Sequence, residues 1–263
     1  MDLGLDGRVC VVTGASSGIG LATARRLSVE GAGVLLVARH VDALDLAAAS
    51  CGPGRVATLS LDMTGADVGE RALEAARAEL GEPWALVNNA GTMDVVALAD
   101  LVDRDWNDQW DLNVMASMRM MRSFAPAMAR GGGGRIVNVS SSSGKRSSGN
   151  NAAYSVAKTA QLALSRAYAD GYAAEGVLVN ALAPGMTDTP LWHAEGGLGD
   201  QVAAARGVPR EQALSDARAK IPLGRFGTED EIAAVATFLC SEDAAFVTGA
   251  VWSVDGGSVP TVI

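Results

Sequence analysis

Arg8-Val9-Cys10-Val11-Val12-Thr13-Gly14-Ala15-Ser16-Ser17-Gly18-Ile19-Gly20 is the stretch whose reading decides the fold. Arg8 to Thr13 is a short apolar run of the kind a fully buried parallel strand needs. Glycines follow at 14, 18 and 20, just ahead of a helical pattern that begins near Leu21. Glycines at such a strand-to-helix turn let the backbone approach a pyrophosphate, whose charge then rests on the helix N-terminus. A plain glycine-rich turn has the same composition, and the spacing departs from G-x-G-x-x-G.

Outward from this turn, strand-like runs near 8–13, 33–38, 55–60, 84–88, 134–140, 176–182 and 250–254 alternate with helical patterns near 18–30, 41–51, 66–80, 103–129, 152–175 and 228–241. That alternation predicts a doubly wound α/β fold: a parallel, Rossmann-like sheet with helices on both faces, in three α/β/α layers. Residues 1–263 are expected to form a single domain, because doubly wound sheets reach this size and 49% hydrophobic content fills the interior. Gly131 to Gly134 reads as a loop tip. The segment 187–223 lacks a clear sheet period, carries Gly196-Gly197-Leu198-Gly199 and a short alanine-rich helical piece, and is expected to be a substrate lid.

A formal charge of −9 argues against nucleic acid and anionic membrane surfaces as partners. No apolar run approaches the ~18 residues of a membrane span. Met1 to Asp6 is acidic, without the basic flank and apolar core of a signal peptide. Cys10, Cys51 and Cys240 lie far apart and are expected as free thiols, which fits a reducing cytoplasm. With only His40 and His193, and no cysteine or carboxylate cluster at ligand spacing, no catalytic metal is expected.

The chemistry is carried by Tyr154-Ser155-Val156-Ala157-Lys158, thirteen residues beyond Ser141 in a run of serines. Tyr154 and Lys158 are four apart, which on a helix stacks them on one face. A free phenol has a pKa of about 10. An ammonium about 4 Å away contributes on the order of 4 kcal/mol at an effective dielectric near 20, enough to bring that pKa toward neutrality. The same spacing also occurs on ordinary solvated helix faces.

Together, Thr13-Gly14-Ala15-Ser16-Ser17-Gly18-Ile19-Gly20, Asn88-Asn89-Ala90-Gly91, Asn113, Ser141, Tyr154, Lys158, Pro184-Gly185, Thr189 and Val254-Asp255-Gly256-Gly257 resemble the signatures of the short-chain dehydrogenase/reductase family, in order and across essentially the whole chain. The resemblance implies an oxidoreductase that transfers a hydride between NADP(H) and a carbonyl or secondary alcohol. Tyr154 would be the general acid/base, Ser141 would position the oxygen, Lys158 would lower the phenol's pKa and bind the nicotinamide ribose, and Asn113 would hold a relay water. Ser140, Ser142 and Ser143 compete with Ser141, and the thirteen-residue offset selects Ser141.

Cofactor contacts are expected from Gly14, Ser16, Ser17, Gly18, Ile19, Gly20, Asn89, Ala90, Gly91, Pro184, Gly185, Met186 and Thr189. Asp62 and Met63 fall at the family's adenine position, although a local capping aspartate reads equally well at 62. At the end of the second strand Ala38 replaces an acidic residue and Arg39 follows, a pattern that holds a 2′-phosphate and favours NADP(H), with NAD(H) the alternative. Ser143, Gly144, Leu191 and Trp192 are the substrate-side candidates, and Trp192 equally suits lid packing. Lys145 and Arg146 could attract a carboxylate or phosphate, or form a solvated loop. Pro222-Leu223-Gly224-Arg225-Phe226-Gly227-Thr228 resembles 3-oxoacyl carrier-protein reductases without assigning a substrate. A small-molecule substrate and a homo-oligomer, dimer or tetramer, are expected. A nucleotide-binding sensor without turnover is the other reading of the fold.

Overall fold

The computed structural model describes residues 2–260; the outermost residues of the expected 1–263 domain lie outside that range. β1 (Val9–Thr13), α1 (Gly18–Val29), β2 (Gly33–Ala38), α2 (Val41–Ala49), β3 (Val56–Ser60), α3 (Val68–Glu79) and β4 (Pro83–Asn88) build the first half. α4 (Asp103–Trp110), α5 (Ala116–Arg130), β5 (Gly134–Val139), α6 (Ala152–Tyr172) and β6 (Val177–Pro184) continue it. An excursion follows, with β7 (Thr187–Asp188), α7 (Pro190–His193), α8 (Leu198–Arg206), α9 (Arg210–Ala219) and β8 (Gly227–Thr228), before α10 (Glu229–Cys240) and β9 (Val251–Val254).

Seven strands form one parallel sheet in the order β3-β2-β1-β4-β5-β6-β9. After β3 the chain returns past β1 to β4, so the loops leaving β1 and β4 diverge. Such a switch point, at the carboxyl ends of the strands, is where open α/β sheets bind ligands.

Successive strand residues face opposite layers, and β1 shows it: Val9 and Val11 join one core, Cys10 and Val12 the other. The first core packs the sheet against α3, α5 and α6, with Met120, Met121 and Phe124 of α5 fully buried. Truncating a buried phenylalanine such as Phe124 to alanine costs about 3–5 kcal/mol. The second core packs it against α1, α2 and α10. α10 starts where it does because Thr228 and Glu231 form a reciprocal capping box, with Glu231 also bridged to Arg225 at 2.6 Å.

At the amino ends of the strands, Trp84 of β4 receives two guanidinium groups from the flanking strands. Arg8 lies 4.0 Å and Arg135 4.6 Å from its ring centroid, and its indole N–H donates to the Cys240 carbonyl.

Two expectations need adjustment. The single helix expected over 103–129 is interrupted, because Asp111–Met115 form a π-helical turn between α4 and α5. The stretch expected as a lid holds three helices rather than one short piece, and two of them, α7 and α9, meet on a small apolar core of Leu214, Ala217, Ile221 and Phe226.

Candidate active site

The glycine turn after β1 is held by its neighbour across the switch point. Thr13 Oγ1 accepts from the Asn89 and Ala90 N–H groups at 3.0 Å. Asn89 Nδ2 donates back to the Thr13 and Gly14 carbonyls at 3.0 and 3.2 Å. Gly20 closes the turn: a Cβ there would sit 2.3 Å from the Gly14 oxygen and 2.4 Å from Asn89 Nδ2. Ser16 and Ser17 ride on this turn, and Ile19 packs on the second core. α1 begins at Gly18 without a side-chain cap, so its first N–H groups point at the crevice as an anion site does.

Thr189, at the base of the excursion, faces Gly18: its Cβ would lie 3.8 Å from a side chain started there. Pro184 ends β6, and Gly185 N–H donates to the Val254 carbonyl. Arg39 is exposed at the end of β2. Asp62 caps no helix, since α3 begins at Val68; it accepts from Thr64 N–H and Oγ1 at 3.0 and 2.9 Å, which with a smaller contribution from Arg39 holds its carboxyl below the usual range. The Met63 side chain is in the first core, and Met186 packs against the lid's apolar cluster.

The structure brings the expected catalytic residues together from three elements. Ser141 follows β5, Tyr154 and Lys158 occupy the first turns of α6, and Asn113 comes from the π-helical turn. Ser140 is excluded as the active hydroxyl, because its Oγ donates to the Lys158 carbonyl at 2.9 Å. Lys158 is 3% exposed, and its Nζ donates to Val139 O at 2.9 Å and to Gln161 Oε1 at 3.2 Å. Gln161, wholly buried, passes the link to Ser117 Oγ at 2.7 Å. The π-helical turn directs Asn113 Nδ2 onto Gln109 Oε1 at 2.8 Å and leaves Asn113 Oδ1 buried without a partner. Gly91 locates that atom: a Cβ there would be 2.7 Å from Asn113 Oδ1 and 3.5 Å from Lys158 Nζ.

The electrostatics differ from the expected ammonium-lowered phenol. Low-dielectric surroundings push Tyr154 above its ordinary value, and what offsets this is the neighbouring Ser141 hydroxyl rather than Lys158. Lys158 is itself lowered to about 7 by desolvation. The geometry explains why, since Nζ is 5.7 Å from the Tyr154 ring centroid and is tied to β5 and Gln161.

Two cavities of similar size lie at this end of the sheet. One, about 250 Å³, runs from Met186 to Gly257 behind β9 and includes no catalytic candidate. The other, about 220 Å³, has Tyr154, Ala153 and Asn151 of the α6 start on one side, α4 on another, and part of the 94–101 loop as its rim. Only the second has a catalytic candidate, Tyr154, in its wall. Ser143, Gly144, Leu191 and Trp192 do not line it. Ser143 N–H donates to Ser141 Oγ, and Gly144 is pressed against the Lys158 backbone. Trp192 packs on Phe226 with ring centroids 5.0 Å apart and planes tilted by 56°, the packing role foreseen as its alternative. Apart from Tyr154, the residues that line the cavity escaped the sequence reading, because α4 and its preceding loop show only an ordinary polar helix pattern. Gln161 was missed too, although its place three after Lys158 on a helix was a usable signal.

A dinucleotide crevice at a switch point, beside a half-buried serine and tyrosine and a buried lysine and asparagine, defines a nicotinamide-dependent oxidoreductase of the doubly wound class. Comparison with known proteins agrees. The family model described as enoyl-(acyl carrier protein) reductase matches residues 14–259, and the chain belongs to the short-chain dehydrogenase/reductase family. The D-beta-hydroxybutyrate dehydrogenase of Cupriavidus necator is 36% identical over 258 residues, covering 97% of this chain and 99% of that protein. The 3-oxoacyl-[acyl-carrier-protein] reductase of Thermotoga maritima is 33% identical, with the same coverage. L-sorbose reductase from Gluconobacter frateurii, solved with NADPH and L-sorbose, superposes with a TM-score of 0.92 at 34% identity over 100% of both chains. The protein is an oxidoreductase acting on alcohol and carbonyl groups.

Proposed function

We propose that this protein reduces a small carbonyl compound with NADPH, and oxidises the alcohol in reverse, with Tyr154 as the proton donor. The observation that carries this reading is the convergence of Ser141, Tyr154, Lys158 and the partnerless Asn113 Oδ1 at the mouth of the glycine turn. NADPH, when bound, supplies the hydride that reaches the carbonyl carbon. The uncapped start of α1, Thr189 opposite Gly18, and Arg39 at the end of β2 suit its phosphates and carboxamide. The solved sorbose reductase complex with NADPH supports the same choice.

The raised pKa keeps the Tyr154 phenol protonated at neutral pH, as an acid for carbonyl reduction requires. Its proton passes to the carbonyl oxygen while the Ser141 hydroxyl orients that oxygen. Lys158, near 7, is poised to return a proton to the tyrosinate. A water between Asn113 Oδ1 and Lys158 Nζ would satisfy the orphaned acceptor and refill the lysine from solvent. The excursion over 187–223 serves as the lid above this site.

The protein is further proposed to work as a homotetramer in the cytoplasm. Trp106 and Trp110 on α4 and Phe246 and Val251 beside the edge strand leave apolar surface for copies to cover, and three free cysteines suit a reducing compartment. No described helix is long and apolar enough to cross a membrane.

Initial rates of NADPH and NADH oxidation test the reading. Tyr154→Phe is expected to lower kcat about 10²- to 10⁴-fold with NADPH binding retained. Arg39→Ala is expected to weaken NADPH about tenfold or more and NADH little. Full turnover in the first variant removes Tyr154 as the acid, and equal losses for both cofactors in the second remove Arg39 as the phosphate partner.

A further inference from the structure

The cavity beside Tyr154 has a marked charge pattern. Three carboxylates line it, Asp94, Asp105 and Asp108, together with the carboxamides of Gln109 and Asn151, and no basic side chain does. Asp105 spends one oxygen on the Val102 N–H at 2.9 Å. Asp108 lies 3.4 Å from an Arg104 side chain that is 85% exposed, so that pairing is screened by solvent. Gln109 is 8% exposed; its oxygen accepts from Asn113, while its amino group has no acceptor among the described residues and opens onto the cavity. A donor placed there suits an acceptor on the ligand. The basic pair that could have received an anion is elsewhere: Lys145 Nζ donates to Ser253 Oγ at 2.8 Å, and neither Lys145 nor Arg146 lines the space.

We propose that the substrate of this site is a small, uncharged carbonyl compound bearing hydroxyl groups, and that Asp94, Asp105 and Asp108 reject carboxylates and phosphates. The proposal rests on Tyr154 as the proton donor and adds what the rest of the substrate must look like. Hydroxyl groups donate to carboxylates in charge-assisted bonds, and their oxygens accept from the Gln109 and Asn151 amino groups. A substrate with hydroxyls therefore satisfies both kinds of group in the wall. An anion approaching Tyr154 passes three like charges, Asp94 and Asp108 exposed and Asp105 half-buried, with no basic side chain among the described lining residues, which is discrimination by a repulsion that salt screens. The volume, about 220 Å³, holds roughly seven waters' worth of matter, the scale of a short polyol rather than a long acyl chain.

The test compares kcat/KM for three short ketones with NADPH at low and high ionic strength: L-erythrulose, neutral and hydroxylated; acetoacetate, a carboxylate; and aminoacetone, a cation. L-erythrulose is expected to exceed acetoacetate by about tenfold or more at low salt, with the gap narrowing as salt rises. Asp94→Lys, at an exposed position, is expected to shrink that ratio about tenfold. Acetoacetate turned over as well as L-erythrulose, or a ratio that Asp94→Lys leaves unmoved, overturns the proposal. Aminoacetone as the best of the three overturns its uncharged part. Tyr154→Phe run on the same panel separates the two readings, because undiminished rates there count against the proton donor while the order among the ketones still judges the pocket.

Discussion

An ammonium taken out of water loses hydration that two neutral acceptors only partly restore, which is why Lys158 is held down to about 7. Below that value the side chain is charged in both the folded and the unfolded protein, and the full cost of burying it is present. Between about 7 and its ordinary 10.5 the unfolded chain binds more protons than the folded one, so stability rises with pH over that interval. Lys158→Met is therefore expected to be more stable than the parent at about pH 6, on the order of a few kcal/mol, with the difference shrinking toward about pH 10. Urea unfolding across that range checks it, and a difference independent of pH would show that Lys158 is buried without being strained. The Tyr154–Lys158 pair was legible in the sequence because its spacing is local. Its electrostatics were not, because the desolvation of Lys158 depends on Val139 of β5 covering it and on Ser117 of α5 holding Gln161 against it, and only the folded chain brings those elements there.

Elements repeat this division between local and distant causes. β1, β2 and β5 are five- and six-residue runs buried along their whole length, and such runs declare themselves in sequence. The π-helical turn at Asp111–Met115 does not, since one extra residue per turn leaves the apolar period almost unchanged. The excursion over 187–223 was visible only as an absence of sheet pattern, because α7 has four residues and α7 and α9 meet on a cluster around Phe226. A hydrogen bond joins the excursion to the cavity beside Tyr154: Gln201 Oε1 on α8 accepts from the Val95 N–H at 2.9 Å, fixing the loop that carries Asp94 and Val96. Gln201→Ala is expected to raise KM for the carbonyl substrate several-fold while leaving the NADPH Kd unchanged, since it loosens one wall of the cavity and no part of the glycine turn. Steady-state kinetics with cofactor titration checks this, and an unaltered KM would make the bond a surface accident.

At the scale of the molecule, the sheet has a working end and a supporting end. The loops at the carboxyl ends of the strands carry the glycine turn, the serines and the 187–223 excursion, whereas the amino ends carry Arg8, Trp84 and Arg135 packed against one another. Sedimentation equilibrium is expected to return about four times the 26.8 kDa of one chain, and a species of single-chain mass would dismiss the tetramer. The doubly wound architecture was readable from the alternation of elements, while the acidic cavity emerged only when α4, α6 and the 94–101 loop met in space. The placing of Trp84 also has an optical use. It emits from the amino end of the sheet, Trp252 from the edge strand β9 against Phe238, Trp192 from the Phe226 cluster, and Trp106 and Trp110 from the helix beside the cavity. A change in emission on adding cofactor or ketone is therefore expected from the tryptophans near the working end, over a constant background from Trp84, so that the protein's own fluorescence reports occupancy.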